Sequence, residues 1–450
     1  MSAIKCHFAV FSWFINEYIL CDKVSMARLW RQIKHALCLL VTLYILLVLK
    51  NMLRDGQTVL RSSEDSGDET EKAVDVVTKE RFMTVAKTVS TIHHEVSLEN
   101  DKRNREKLYR EQLHAIFDRF PWFDRKQFSP NYFIVGVSGN SVEAAVKPRI
   151  KDQTYMFVHN QKSGGTTLKD CIDRITRQKQ MARYVGVWDE YEVAKVIHDV
   201  NHKHAKSKFY ASEYTFGLCD EFNRQNCSYF TLIRDPYERL ISCHEFCKRA
   251  LTDPLCAASD ARNLTLKEWA LHQGSYFFRQ LQFKPTYACS DKIMRDKISP
   301  KINKAKYLGR NATRPPCWYR HKLLLDDALN DMEKEVLLNY FLDNLKNWFT
   351  VIGITEEYRT TLGLLQQAYN LPFRDLCMNL ISMKGLYKVD GKPATPQSKQ
   401  ELIQKLKAEL QADPEINRTL YYDVKIYEKA REIFEEEKKQ YFSMLGLGNQ

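Results

Sequence analysis

The feature that most constrains this chain is the stretch 155–175, in which an apolar strand meets an amphipathic helix through two adjacent glycines. The run Tyr155–Val158 predicts a buried strand, and apolar residues at helical spacing follow the turn. Gly164 and Gly165 let the backbone approach an anion closely, and the first helical turn points free N–H groups at it. Strand, glycine turn and helix together predict a phosphate-binding loop in an α/β fold.

The order of the polar residues around the glycines distinguishes this loop from that of nucleoside triphosphatases. Those loops place a lysine after the glycines, in the order G-x-x-x-x-G-K-[ST]. Here Lys162 and Ser163 precede the glycines, whereas Thr166 and Thr167 follow them. The sequence therefore disfavours an ATP-dependent kinase of the P-loop type. An ordinary strand-to-helix turn is the alternative for this stretch taken alone.

A second strand–helix junction carries another cationic group. The run Tyr229–Ile233 predicts a buried strand that ends in Arg234, and a proline opens the helix after it. Arg239 and Ser242 lie one and two turns along that helix. A basic residue at the carboxyl edge of a parallel sheet, with a hydroxyl on the next helix, predicts a second anion site. An arginine paired with Asp235 at a helix start is the alternative.

Charge and metal-ligating residues narrow the classes of partner. The net charge of +12 suits an acidic partner such as a phosphate, a sulfate, a nucleic acid or an anionic polysaccharide. A basic surface without a specific acidic partner would explain the same charge equally well. The twelve cysteines include no C-x-x-C pair, which disfavours a zinc ribbon. A helix predicted over 188–205 carries His198, His202 and His204, but nearby carboxylates are not spaced as ligands. We therefore expect no metal.

An uncharged run near the N-terminus predicts a membrane anchor. It is shorter than the roughly 20 residues of a standard span, but flanking lysines can snorkel. Basic residues precede it and an acidic run follows, which keeps the N-terminus in the cytosol. We predict a cytosolic tail at 1–35, a transmembrane anchor at 36–53, a stem at 54–145 and a folded lumenal domain at 146–445. A cleaved signal peptide is the main alternative, although no small-x-small cleavage site follows the run.

The N-glycosylation sequons and the cysteines are consistent with a lumenal location for the domain after the predicted anchor. Four N-x-[ST] sequons follow the predicted anchor and none precedes it; they are Asn226, Asn263, Asn311 and Asn417. Nine cysteines lie beyond the anchor, so we expect several to pair and at least one to stay free. Cys247 and Cys256 would close a short loop. Cys243 lies one helical turn from Cys247, which is a poor geometry for a bond between them.

Three further segments complete the predicted secondary structure. Phe209–Phe216 alternates like a strand. Trp348–Ile354 predicts another strand, and Thr355 caps the helix that follows it. A last helix is predicted over 423–441, with apolar residues on one face.

Taken together, these residues resemble the Golgi carbohydrate sulfotransferases. Gln161–Thr167 is similar to their 5′-phosphosulfate loop. Arg234–Pro236 with Arg239 and Ser242 is similar to their 3′-phosphate loop, and the two loops come in the same order. Val351–Tyr358 and Asp423–Ala430 resemble a later strand and the closing helix of that family. The resemblance covers about 150–440. It is nearest to the group of heparan sulfate 2-O-, uronyl 2-O- and 6-O-sulfotransferases.

The resemblance implies a P-loop-like parallel sheet flanked by helices. It implies 3′-phosphoadenosine 5′-phosphosulfate as the sulfuryl donor, an anionic glycan acceptor, and neither a metal nor a nucleic acid. Lys162 would contact the bridging oxygen of the phosphosulfate and stabilise the charge that builds there. The 5′-phosphate would be bound by Ser163, Gly164, Gly165, Thr166 and Thr167. The 3′-phosphate would be bound by Arg234 and Ser242.

The resemblance also indicates where a general base should lie. The 2-O-sulfotransferases carry a His-Gly-His-x-x-Phe pattern between the two loops, and the matching stretch Ala211–Phe216 holds Glu213 in place of the second histidine. Other heparan sulfate sulfotransferases use a glutamate as base, so we predict Glu213 as the catalytic base. His159, directly before the first loop, and His244 are the alternative bases. A surface position on a strand edge is the alternative in which Glu213 has no catalytic role.

Two weaker signals concern substrate contacts. Arg279 and Gln280 lie in a segment similar to the one that closes over the donor. A basic run at 292–306 is equally consistent with a groove for an anionic acceptor and with a solvent-exposed basic face. We predict a single-pass type II enzyme of the Golgi membrane that transfers sulfate to a glycan hydroxyl, with a glycosaminoglycan as acceptor. The alternative is a catalytically inactive lumenal glycan-binding protein with the same fold. A homo-oligomer is compatible with both.

Overall fold

The computed structural model describes residues 98–124, 129–134, 153–187, 190–222, 226–251, 259–284, 328–380 and 396–447, with isolated or paired positions at 87, 91, 95, 253, 255–256, 322, 325, 388–389 and 392–393. The predicted tail and anchor, Asn311 and the basic run at 292–306 lie outside these residues. The chain divides into two compact units, Met1–Arg103 and Asn104–Gln450, and the fold below is that of the second. Within the described part, no helix combines the length and apolarity of a membrane span.

A five-stranded parallel sheet organises the second unit. Its strands are β1 Thr154–Val158, β2 Val185–Gly186, β3 Phe209–Ser212, β4 Cys227–Ile233 and β5 Phe349–Ile354. They pair in the order β2-β3-β1-β4-β5, and every pairing is parallel. All residues of β1, β3, β4 and β5 are buried, as expected for a parallel sheet covered on both faces. This confirms the predicted α/β class with a parallel sheet.

Helices cover both faces of the sheet, and many begin at a capping residue. They are α1 Gly165–Gln178, α2 Glu190–Asn201, α3 Pro236–Cys247, α4 Leu266–Gln273, α5 Tyr276–Leu281, α6 Asp331–Trp348, α7 Tyr358–Tyr369, α8 Phe373–Cys377, α9 Pro396–Ala412 and α10 Pro414–Met444. Capping boxes start α4 at Thr265 and α6 at Asn330. A small antiparallel pair, β6 Lys388–Val389 and β7 Lys392–Pro393, lies apart from the main sheet.

The observed elements differ from the predicted ones mainly in length. The strand predicted over Phe209–Phe216 ends at Ser212, and the chain then turns. The helix predicted over 423–441 already begins at Pro414, because the Asp413 side chain accepts two N–H groups of its first turn. The two-residue strand β2 was not predicted, since it is too short to show a periodic pattern.

Part of the segment assigned to a stem at 54–145 belongs to the folded unit. Ile116, Phe123 and Phe133 are buried in the main hydrophobic core. The N–H of Tyr132 donates to the carbonyl of Thr350 at 3.0 Å, which ties this segment to β5. The folded unit therefore begins well before residue 146, because apolar side chains of this segment pack into the core.

Three disulfides cross-link the described residues. They are Cys171–Cys377, Cys219–Cys227 and Cys247–Cys256, and the last confirms the predicted short loop. Cys243 is free and buried, as the odd cysteine count required of at least one residue. Cys171–Cys377 joins α1 to α8 across 206 residues of chain. Such a cross-link typically contributes about 2–4 kcal/mol to stability, and it anchors the helix that follows the predicted anion loop.

Candidate active site

Four strands end side by side at the carboxyl edge of the sheet, and a polar residue follows each of them. His159 follows β1, Glu213 follows β3, Arg234 follows β4 and Thr355 follows β5. The parallel register brings these ends together. Open α/β sheets bind their ligands in the crevice outside the carboxyl ends of their strands, so this edge is the candidate active site.

The predicted anion loop joins β1 to α1 at this edge. Lys162 and Gly164 have φ angles of 67° and 84°, in the left-handed region, and these angles turn the chain into the helix. The N-cap residue Gly164 has no side chain, and no described side chain bonds to the first N–H groups of α1, so these groups are available to a ligand. Ser163 Oγ and Asn160 Oδ1 are buried and have no hydrogen-bond partner among the described residues. Because buried polar atoms are normally paired, this arrangement fits an anionic ligand.

Gly165, the first residue of α1, has no room for a side chain. A Cβ at this position would lie 1.9 Å from His159 Cδ2 and 2.1 Å from His159 Nε2. The Cδ2–Nε2 edge of the imidazole therefore faces the N-terminus of α1. The sequence indicated that this glycine lets an anion approach, but it also makes room for the histidine.

We expect Gly165→Ala to lower stability by about 1–3 kcal/mol, because the added methyl group must displace the His159 ring. Thermal unfolding of the single variants Gly165→Ala and His159→Ala, and of the double variant, measures the effect. The double variant should recover most of the loss caused by Gly165→Ala, since the clashing ring is gone. Strictly additive losses would contradict the proposed clash.

His159 and Glu213 form a buried pair. Nδ1 of His159 lies 3.0 Å from Oε1 of Glu213, although the approach is not aligned as a straight hydrogen bond. The two residues are 7% and 5% exposed. Burial by itself raises the pKa of Glu213, but the contact with His159 and the positive charge of Lys169 outweigh it and hold this pKa below its usual value. Glu213 is therefore ionised at neutral pH and holds the Nδ1 side of the imidazole.

Gln280 of α5 holds the backbone carbonyls of both His159 and Glu213. Its Nε2 donates to the carbonyl of His159 at 3.1 Å and to that of Glu213 at 2.9 Å. The neighbouring Arg279 instead donates to the carbonyl of Gln273. Gln280, one of the two residues in the segment predicted to close over the donor, thus contacts the residues at the sheet edge.

Lys162 lies beside a residue that the sequence did not point to. Its ammonium sits 3.8 Å from the centre of the Phe246 ring, which is on α3. A cation over an aromatic face is held by the ring quadrupole. Burial lowers the pKa of Lys162, against the opposing effects of Cys243 and Asp253. Phe246 therefore restrains the lysine side chain next to the anion loop.

Arg234 links the two predicted anion loops. Its Nη1 donates to the carbonyl of Lys162 at 3.4 Å, and its Nη2 donates to Oε2 of Glu238 at 3.0 Å. Asp235 instead caps α3 by accepting two of its N–H groups, and it pairs with Lys407 Nζ at 2.7 Å. The alternative in which Arg234 simply pairs with Asp235 is thus not what the structure shows.

The end of β5 joins both loops. Thr355 Oγ1 lies 2.8 Å from the carbonyl oxygen of Ser163 and 3.1 Å from that of Ile233. Glu356 Oε1 accepts the N–H of Asp235 at 3.0 Å. The sequence indicated only a helix cap at Thr355. The contacts depend on β4 lying between β1 and β5, so no local pattern could have revealed them.

The remaining predicted residues divide between this edge and other places. Thr166 is exposed and Thr167 half-buried in the first turn of α1, and Ser242 is half-buried two turns along α3. His244 is buried elsewhere, with its Nε2 3.1 Å from the carbonyl oxygen of Ala261 and its ring stacked on Trp269. His244 is therefore not part of the candidate site.

The described sequon residues lie at the surface. Asn226, Asn263 and Asn417 are exposed. The Asn417 side chain is already engaged within the fold, because Oδ1 accepts the Tyr237 hydroxyl at 2.7 Å and Nδ2 donates to the Gln411 carbonyl at 2.8 Å. Glycan attachment at these asparagines stays a prediction, and at Asn417 it would modify Nδ2, the atom that donates to Gln411.

One comparison with known protein families matches part of this domain. Residues 150–295 match a family described as the Sulfotransferase family. The matched segment contains both anion loops, the His159–Glu213 pair and Gln280. The match and the parallel sheet support a sulfotransferase α/β fold with sulfuryl transfer as its general chemistry, and sulfotransferases in general use 3′-phosphoadenosine 5′-phosphosulfate as donor. No curated protein matches the chain.

Proposed function

We propose that this protein transfers a sulfuryl group from 3′-phosphoadenosine 5′-phosphosulfate to a hydroxyl of a glycosaminoglycan. The observation that carries the proposal is the joining of two anion loops at one sheet edge, where Arg234 donates to the carbonyl of Lys162. A donor with phosphate groups at both ends needs two such loops. The net charge of +12 suits an anionic glycan as the acceptor.

The residues at the edge fit this donor. Ser163 Oγ, buried without a partner in the described structure, and the free N–H groups at the start of α1 suit the 5′-phosphosulfate, together with Gly164, Gly165, Thr166 and Thr167. Arg234 and Ser242 suit the 3′-phosphate. When bound, the donor supplies the sulfuryl group. The ammonium of Lys162 then offsets the negative charge that builds on the leaving oxygen.

His159 is the group that we propose takes the proton from the acceptor hydroxyl. Its Nε2 edge faces the start of α1, and Glu213 lies 3.0 Å from its Nδ1. A carboxylate at Nδ1 keeps the proton of the neutral ring on that side, leaves Nε2 as acceptor and stabilises the imidazolium that forms. The lowered pKa of Glu213 makes it a weak base by itself. Glu213, predicted from the sequence as the base, thus becomes the positioning partner.

We also propose that this domain lies in the lumen of the Golgi and that residues 36–53 form a type II membrane anchor. Three disulfides among the described residues support an oxidising compartment. The exposure of Asn226, Asn263 and Asn417 is compatible with glycosylation there.

Incubating the full-length protein with labelled donor and a panel of heparan, chondroitin and desulfated chains tests the function, with disaccharide analysis locating the sulfate. Arg234→Ala should raise the KM for the donor about 10–100-fold, since a charge-assisted hydrogen bond contributes about 1.5–3 kcal/mol. Arg262→Ala, at an exposed arginine paired with Asp260, is the matched control and should leave the KM unchanged.

The same experiment separates the alternatives. Label in a glycan that depends on Arg234 supports the proposed transfer. Donor binding without transfer to any chain of the panel would favour the catalytically inactive glycan-binding protein. Absence of donor binding would contradict the assignment of both anion loops.

A further inference from the structure

Three metal-ligating side chains meet at the end of α2. His198 and Asp199 lie in its last turn, and His204 lies in the connection to β3. A crossover helix runs antiparallel to the strands that it connects, so the end of α2 lies at the amino edge of the sheet. This is the edge opposite to His159 and Glu213. The group is thus separate from the candidate active site.

The backbone at the end of α2 brings His204 back toward the helix. Lys203 has a φ angle of 61°, and this left-handed residue reverses the chain direction. The N–H groups of His204 and Ala205 then both donate to the carbonyl of Asp199, at 2.7 and 3.0 Å. Spacing along the sequence does not reveal this turn. From the sequence we expected no metal here, because the nearby carboxylates are not spaced as ligands.

The side-chain geometry matches a tetrahedral metal site. His198, Asp199 and His204 each contribute one potential ligand atom, and these three atoms lie within 4.8 Å of one another. His198 Nδ1 and Asp199 Oδ1 are 3.5 Å apart. Two ligands about 2.0–2.1 Å from a tetrahedral zinc ion are about 3.4 Å apart, so this pair needs little movement. The dipole at the C-terminus of α2 also favours a cation.

The surroundings leave the site accessible. The side chains of His198 and Asp199 are 60% and 36% exposed. A cleft of about 310 Å³ opens beside Asp199 and His204, with room for a water molecule as a fourth ligand. His202 stacks on His198 with ring centres 4.2 Å apart, but its Nδ1 donates to the His198 carbonyl at 2.9 Å. The group of ligand atoms that lie close together consists of His198, Asp199 and His204 and does not include His202.

We propose that His198, Asp199 and His204 bind one zinc-class divalent ion that fastens the end of α2 to the segment leading into β3. Two imidazoles and one carboxylate form a donor set that zinc accepts, whereas calcium and magnesium prefer oxygen ligands throughout. The site is independent of sulfuryl transfer, because its ligands lie at the other edge of the sheet.

Titration of the full-length protein with Zn²⁺ against a chromophoric chelator tests the site. The wild-type chain should bind one ion. His204→Ala and Asp199→Asn should each weaken binding at least tenfold. His202→Ala should bind as the wild type does, and so should His114→Ala, which removes an exposed histidine from another helix.

Two results would overturn this assignment. Equal zinc affinity in the wild type, His204→Ala and Asp199→Asn would show that these side chains are not ligands. Loss of zinc in His202→Ala, with binding retained in Asp199→Asn, would show instead a chelate made by two histidines one turn apart on α2. Thermal unfolding with and without Zn²⁺ gives a second readout, since the ion should raise the melting temperature of the wild type but not that of Asp199→Asn.

Discussion

Replacing Lys162 by glycine should lower kcat for sulfuryl transfer by about 10²–10³-fold, which is the usual cost of removing one preorganised group from a developing negative charge. The ammonium is held 3.8 Å over the Phe246 ring, next to the loop that precedes α1. Glycine is the informative substitution because Lys162 has a φ angle of 67°, which glycine adopts without strain. Initial rates at saturating donor and acceptor, together with thermal unfolding, give the result.

Lys203 provides a matched control for this substitution. It is also a lysine with a left-handed backbone, at a φ angle of 61°, and it is exposed, away from the carboxyl edge of the sheet. Lys203→Gly should keep the wild-type kcat, and both variants should keep the wild-type melting temperature within a few degrees. A Lys162→Gly variant with kcat within threefold of the wild type would remove Lys162 from the catalytic machinery.

The two anion loops were predictable because their chemistry is local. A buried strand, a glycine turn and a helix lie within one short stretch around Lys162, and a strand, an arginine and a capped helix lie within another around Arg234. Each pattern therefore carries its own evidence, and the parallel sheet follows from alternating strands and helices. The Cys247–Cys256 loop was predictable for the same reason.

The partners at the site were not predictable, because they come from distant segments. The parallel register of β1 and β3 sets Val158 beside Ser212, so the next residues, His159 and Glu213, meet. A one-residue shift of that register would separate them. Gln280 reaches the same carbonyls from a helix far along the chain. The sequence pattern indicates either a glutamate or a histidine as the base. Only the three-dimensional arrangement shows that the two side chains are in contact.

Glu213→Gln should lower kcat by about 10²-fold or more and should also change how stability depends on pH. General-base catalysis typically contributes about 10²–10⁴-fold, and an amide can neither hold the Nδ1 proton as a carboxylate does nor stabilise the imidazolium. The folded-state pKa of Glu213 lies below its usual 4.5. Its ionised form therefore contributes stability above about pH 4.5, and this is lost as the pH falls through the folded-state pKa. Unfolding measured from pH 3 to 7 should show a weaker acid-induced loss in Glu213→Gln.

The double variant decides whether His159 and Glu213 act together. His159→Ala alone should lose about 10²–10⁴-fold in kcat, and adding Glu213→Gln should cost little more, because the carboxylate acts through the ring that is already gone. Glu409→Gln, at an exposed carboxylate on α9, should change neither kcat nor the loss of stability at acid pH. If His159→Ala keeps most of the activity while Glu213→Gln does not, Glu213 is itself the base. If the two losses multiply, the residues contribute separately, and the carboxylate does more than orient the imidazole.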